Sequence, residues 1–119
     1  IGLPGASALT TALSVSGISS AKFTFFGFVP HKKGRETLFA AVAASKDTSV
    51  FYESVHRIEK TLESLALVLD SSRLVSVVRE ITKLHEEVVR GSAVEVKEYF
   101  LTHKEKVRGE FVVIVDGKK

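Results

Sequence analysis

Three polar clusters each follow an apolar stretch of this chain, and their residue types can bind anions or move a proton. They are His31-Lys32-Lys33-Gly34-Arg35, Tyr52-Glu53-Ser54-Val55-His56-Arg57 and Arg79-Glu80-Ile81-Thr82-Lys83. Lys and Arg in such places hold phosphates or carboxylates, and a Glu beside them can act as a general base. Each cluster also has an ordinary structural counterpart. Glu53 and Arg79 can pair with each other or cap a helix end. Ser54 suits a helix N-cap. His56, His85 and His103 fit surface positions, and a basic run such as 31–35 commonly marks a solvated loop.

Much chemistry is excluded at once. The 119 residues contain no Cys, which removes disulfides, thiolate metal sites and cysteine nucleophiles together. The four His residues lack His-x-x-x-His spacing, so a metal site is not expected. No Gly-x-Gly-x-x-Gly, Walker-type loop or Gly-x-Ser-x-Gly is present, and no nucleophile–base pair stands out. Net charge is +3 with a pI near 9.3, too mild a bias to argue nucleic-acid binding alone. No apolar run approaches the roughly 20 residues of a membrane span, and a cytoplasmic location is expected. Hydrophobic residues at 45% and charged residues at 26% describe one ordinary globular domain over residues 1–119.

The elements that must position these clusters follow from periodicity. Helices are predicted over Pro4–Ser16, Arg35–Ser45, 55–69 with Ser54 as N-cap, and from a Ser92/Glu95 capping box to about His103. Their inward residues should be Leu9, Ala12 and Leu13, then Leu38, Phe39, Val42 and Ala43, then Ile58, Leu62, Leu65 and Leu69, and finally Val96 and Phe100. Strands are predicted over Lys22–Val29, Thr48–Tyr52, Leu74–Val78, Glu87–Arg90 and Phe111–Val115. The alternation gives an α/β class: a three-layer sandwich whose sheet of about five strands is mostly parallel or mixed, with helices on both faces. The closing strand has the option of running antiparallel. Ligands of open α/β sheets bind beyond the carboxyl ends of the strands, where the three polar clusters fall. Gly5-Ala6-Ser7 can present backbone amides at a helix N-terminus, suited to an anion or a polar cofactor edge. A Pro4-Gly5 turn with no strand before it, in a chain without Met, is expected of a piece of a longer protein.

Six segments in order carry a resemblance. They are Pro4-Gly5-Ala6-Ser7-Ala8, Phe26 to Gly34, Phe51 to Arg57, Arg79 to Lys83, Val89-Arg90-Gly91 and Arg108 to Val112. The series resembles the C-terminal half of the small-subunit ribosomal RNA methyltransferase branch of the tetrapyrrole (corrin/porphyrin) methylase superfamily. The resemblance implies a two-domain, S-adenosylmethionine-dependent methyltransferase with its cofactor in the cleft between domains. This chain would be the C-terminal domain, inactive without its N-terminal partner domain. Gly5, Ser7 and Ala8 would border the cofactor, with Tyr52, Glu53, Ser54, Arg79 and Glu80 near its adenine. Glu53 and Glu80 are the candidate bases for a ribose 2′-hydroxyl of 16S rRNA. Lys32, Lys33, Arg35, Arg57 and Lys83 are the candidate RNA contacts, and a homodimer is expected. Ala6 and Val55 stand where the family usually has Pro, which makes both turns less rigid. Two alternatives stay open: a porphyrinoid ring carbon as methyl acceptor, and a non-catalytic RNA-binding or dimerisation module.

Overall fold

The computed structural model describes residues 22–30, 32–54, 56–82, 85–103 and 110–118, with 80–82, 85, 86 and 110 described by backbone alone. Five strands and three helices occur among them: β1 (Phe23–Phe28), α1 (Arg35–Ala44), β2 (Thr48–Ser54), α2 (Ile58–Val68), β3 (Val75–Thr82), β4 (His85–Gly91), α3 (Ala93–Thr102) and β5 (Glu110–Val115). The helix expected over Pro4–Ser16 lies outside the described residues.

The strands form one mixed sheet in the order β1-β2-β5-β3-β4. β1 and β2 are parallel, joined through α1. The other three pairings are antiparallel, so of the two expected arrangements, mostly parallel or mixed, the mixed one is realised. Two features produce this. β3 turns directly into β4 as a hairpin, and β5 enters the gap between β2 and β3 running against both. The option of an antiparallel closing strand is the one realised. The carboxyl ends of β1, β2 and β3 therefore share one edge with the amino ends of β4 and β5.

Alternation along the strands divides the sheet into two faces. Phe51, Phe111, Val113, Val115, Val75 and Val77 face the helices and pack with Phe39 and Val42 of α1, Ile58, Leu62 and Leu65 of α2, and Val96 and Phe100 of α3. All three described helices share this face. The opposite face carries Val50, Ile114 and Val78, with Leu74, Val88 and Val112 against them. Strand β5 is apolar on both faces, so it reads as an unbroken Phe-Val-Val-Ile-Val run.

Local signals explain the helix ends. Gly34 precedes α1 at φ 90°, a conformation that disfavours any side chain, and its carbonyl accepts from the Leu38 N–H at 2.9 Å. At α3 the capping box is complete: the Ser92 hydroxyl accepts from the Glu95 N–H, and the Glu95 carboxylate accepts from the Ser92 N–H at 2.9 Å. Ser54 is not the N-cap expected for α2. It ends β2, its carbonyl accepts from the Arg57 N–H at 3.1 Å, and the helix begins at Ile58 without a side-chain cap. The Ser54 N–H is held at 2.8 Å by the Glu53 carboxylate, and Ser54 completes the extended strand.

The opposite sheet edge is closed by Arg73. Its guanidinium donates to the carbonyls of Ala43, Val42 and Asp116 at 2.8, 3.1 and 2.9 Å. Two of these carbonyls lie in the last turn of α1, where the Val42 carbonyl also accepts from the Ser45 N–H at 3.3 Å, so a cation also suits the helix dipole there. Burial draws the Arg73 pKa down, and Asp70 and Asp116 draw it back up. Asp70 accepts from Ser72 through both hydroxyl and backbone, which holds its carboxyl below its ordinary range. Beyond β5, the Lys118 N–H donates to the Ser45 carbonyl at 2.8 Å. A Cβ on Gly117 would coincide with the Lys46 carbonyl.

Three substitutions check this account by urea unfolding. Ser92→Ala should cost about 1 kcal/mol through the lost cap. Ser54→Ala should stay within about 0.5 kcal/mol, because that hydroxyl caps nothing. Gly117→Ala should cost about 1–3 kcal/mol by forcing the backbone of the α1–β2 turn to move.

Candidate functional site at the carboxyl edge of the sheet

Register places Glu53 of β2 opposite Phe111 of β5, Phe111 opposite Arg79 of β3, and Arg79 opposite Glu87 of β4. These four residues form a row across the helix-covered face, next to the edge where β1, β2 and β3 end. Two of them are charged groups sunk in the core: Glu53 is 2% and Arg79 is 6% exposed. Burial of charge is costly unless hydrogen bonds and counter-charges compensate, so each should have a partner.

The partners differ from those the sequence suggested. Arg79 pairs with Glu87 at 3.2 Å rather than with Glu53. Glu53 is served by three groups. Its carboxylate accepts from the Thr61 hydroxyl and the Ser54 N–H, and Arg35 lies at 4.0 Å. The Thr61 hydroxyl also accepts from the Arg35 guanidinium at 3.0 Å. Arg35 in turn lies 5.0 Å from the centre of the Phe39 ring. The result is a relay from α1 through α2 to the last turn of β2.

The residues singled out by sequence separate accordingly. Tyr52 and Glu53 are neighbours in β2, so their side chains leave on opposite faces, and one ligand cannot touch both side chains. Tyr52, also buried, lies edge-on to Phe25 at 5.0 Å and tilted against Phe28 at 5.2 Å. Ser54 is half-buried at the strand end, and Arg57 is half-buried at the start of α2. Arg35 turns inward, whereas Lys32 and Lys33 stand exposed in the turn before it. His56 is exposed, as expected. His103 is half-buried rather than free on the surface. It stacks on Tyr99 at 4.2 Å with a ring nitrogen 2.9 Å from that residue's carbonyl. Glu80 sits in register with Glu86 near the carboxyl end of β3. Gly5, Ser7, Ala8, His31 and Lys83 lie outside the described residues.

Sequence reasoning passed over Thr61 and Glu87. Thr61 had a signal: it is a polar residue on the buried stripe of Ile58, Leu62 and Leu65, where a hydroxyl needs a partner. Glu87 had none, because only strand register brings it to Arg79. Replacing Thr61 by Val should cost about 1–3 kcal/mol by leaving the Glu53 carboxylate and the Arg35 guanidinium short of a bond. Thr61→Ser should recover most of that, as read from urea midpoints.

Comparison with known proteins agrees with this architecture. Residues 3–97 match the family model described as Tetrapyrrole (Corrin/Porphyrin) Methylases. The chain is 42% identical over 117 residues to ribosomal RNA small subunit methyltransferase I of Haemophilus influenzae, covering 98% of this chain and 41% of that protein. It is 40% identical to the protein of the same name from Bacillus subtilis, covering 97% and 39%. The chain thus spans about two-fifths of the length of these relatives. Two solved structures share the fold. Cobalt precorrin-4 methyltransferase CbiF superposes with a TM-score of 0.68 at 14% identity, over 96% of this chain and 50% of that one. The methyltransferase CobJ does so at 0.65 and 18%, over 92% and 47%. With most of its length inside the family model and its sheet matched by two solved members of that fold, the chain belongs to the tetrapyrrole (corrin/porphyrin) methylase family.

Proposed function

We propose that this chain is the C-terminal domain of an S-adenosylmethionine-dependent methyltransferase acting on a ribose 2′-hydroxyl of small-subunit ribosomal RNA. The observation that carries the substrate class is the identity of about 40% along nearly the whole chain to relatives named for that RNA. The relatives are much longer than the segment matched, which supports a further domain; we assign it to the N-terminal side, with the cofactor cleft between the two. Dimer formation and a cytoplasmic location belong to the same proposal.

The described residues fit one wall of a cofactor pocket. At the carboxyl edge, the row Tyr52, Val112, Val78 and Val88 is apolar and lies on the face opposite the described helices. Val112 and Val88, the half-buried members of the row, suit the flat face of an adenine, with buried Tyr52 and Val78 backing them, and the polar backbone groups where β2 and β3 end suit its hydrogen-bonding edge. Gly5, Ser7 and Ala8 are assigned to the same cofactor. S-adenosylmethionine, when bound, supplies a methyl already activated on a sulfonium.

The chain's own residues then have three tasks. Glu53, held by Thr61, Ser54 and Arg35, sets the β2–α2 turn from beneath. Its burial suits a positioning residue better than a base that must reach a hydroxyl. Glu80, at the end of β3, is the candidate to take the hydroxyl proton. Lys32 and Lys33 hold phosphates, which place an RNA without reading its sequence. Arg57 and Lys83 are assigned to the same role, while Arg35 is reassigned to the framework.

The test uses the two-domain protein, labelled cofactor and small-subunit particles. Methylated product should resist alkaline hydrolysis at one linkage, because the attacking 2′-hydroxyl is gone. Glu80→Gln should lower turnover by roughly 10²–10⁴-fold. Glu53→Gln should lower the melting temperature yet keep turnover within a few-fold. Absence of an alkali-resistant linkage, or unchanged turnover in Glu80→Gln, would sink the respective assignment.

A further inference from the structure

Strand β1 lies at the edge of the sheet and carries Phe23, Phe25 and Phe28 at 40%, 43% and 45% exposure. Simple alternation would put Phe28 on the opposite face from Phe25. It does not, because the register slips between them: Phe25 faces Val50 and Phe28 faces Tyr52, so three steps on β1 match two on β2. Gly27, at φ 76°, supplies the backbone conformation for the extra residue. The bulge brings Phe28 back to the face of Phe25, and both rings rest against the buried Tyr52 at 5.2 and 5.0 Å. Phe26, on the other face, packs into the helix-side core instead. The sequence thus spends a bulge, rare between parallel strands, on keeping aromatic rings together at the surface.

The surrounding charge selects the occupant. From Lys22 to Arg35 there is no Asp or Glu, and Lys22, Lys32 and Lys33 are exposed at the two ends of the strip. Apolar rings bordered by cations on both sides fit a polyanion with flat apolar faces. Strand addition by a protein partner is disfavoured, because the bulge interrupts the regular edge that such pairing needs.

We propose that Phe23, Phe25 and Phe28 form a stacking platform for unpaired bases of single-stranded RNA, with Lys22, Lys32 and Lys33 holding the flanking phosphates. It rests on the RNA reading above and adds to it: the substrate is engaged as a single strand, by base stacking on the β1 face. Stacking on aromatics tolerates any base, so the platform grips a strand and leaves sequence choice to other groups.

The test measures binding by the two-domain protein to a labelled single-stranded oligoadenylate and to an RNA duplex of equal length. Phe25→Ala/Phe28→Ala should weaken single-strand binding by roughly tenfold or more while the salt dependence stays unchanged, since neutral rings displace no counterions. Lys32→Ala/Lys33→Ala should lower the single-strand salt slope by roughly 1.4, about 0.7 for each phosphate no longer neutralised. Phe28→Trp should keep the affinity, and quenching on binding of the fluorescence it adds over the wild-type protein would report stacking directly. Phe25→Leu/Phe28→Leu keeps apolar packing on Tyr52 and guards against a folding defect; it too should weaken binding. Wild-type affinity in both double Phe variants, with weakened binding in the Lys variant, overturns the platform and spares the RNA reading. Failure of the wild-type protein to bind the single strand overturns the platform, while the RNA reading stands or falls with the alkali-resistant linkage in small-subunit particles. A change of oligomeric state in the Phe variants with unchanged RNA affinity assigns the face to a protein interface and overturns the platform.

Discussion

Insertion of β5 between β2 and β3 is the constraint on which the rest depends. The chain makes a parallel unit, β1-α1-β2, and an antiparallel unit, β3-β4, and within the sheet these are joined through β5. That strand is Phe-Val-Val-Ile-Val, and Phe111, Val113, Ile114 and Val115 are fully buried. Each such side chain contributes about 1.5–3 kcal/mol when it leaves water, and here the gain comes from both faces at once. Because β5 runs against both neighbours, β2 and β3 point the same way. Their carboxyl ends meet at one edge for that reason.

The same strand organises the buried charge. Phe111 separates Glu53 from Arg79, so the two groups that seem natural partners in sequence are kept apart by a fully buried aromatic ring and satisfied elsewhere. Glu53 is drawn to Thr61 and Arg35, which ties α1 and α2 to the end of β2. Arg79 is drawn to Glu87, which ties β3 to β4. Each pairing joins a buried group to one nearer solvent: Glu87 is 23% and Arg35 13% exposed. The framework beneath the candidate site is therefore polar and directional, while the opposite face, with Tyr52, Val112 and Val78, is apolar. Two distinct environments arise from one edge because side chains alternate along each strand.

Some elements were legible because their signals are local. The Ser92–Glu95 capping box needs four consecutive residues and nothing more, and α3 begins where it indicates. The stripe of Ile58, Leu62, Leu65 and Leu69 is buried as its spacing implies. Ser54 shows the limit of such signals. It has the right side chain for an N-cap, but the Glu53 carboxylate holds its N–H and β5 pairs with it, so it stays in the strand. Arg73 gave no signal at all. Its three carbonyl partners come from two segments far along the chain, and only the packed fold gathers them.

By itself the sequence determined the order and type of the described elements, the inward residues of each described helix and the family, because periodicity, caps and long ordered similarity are properties of neighbouring residues. The tertiary structure decided strand direction, the partners of Glu53 and Arg79, the inward turn of Arg35 and the outward aromatic strip of β1. Those depend on register between strands distant in the chain. A shift of one residue, such as the bulge at Gly27, moves a side chain from one face of the sheet to the other.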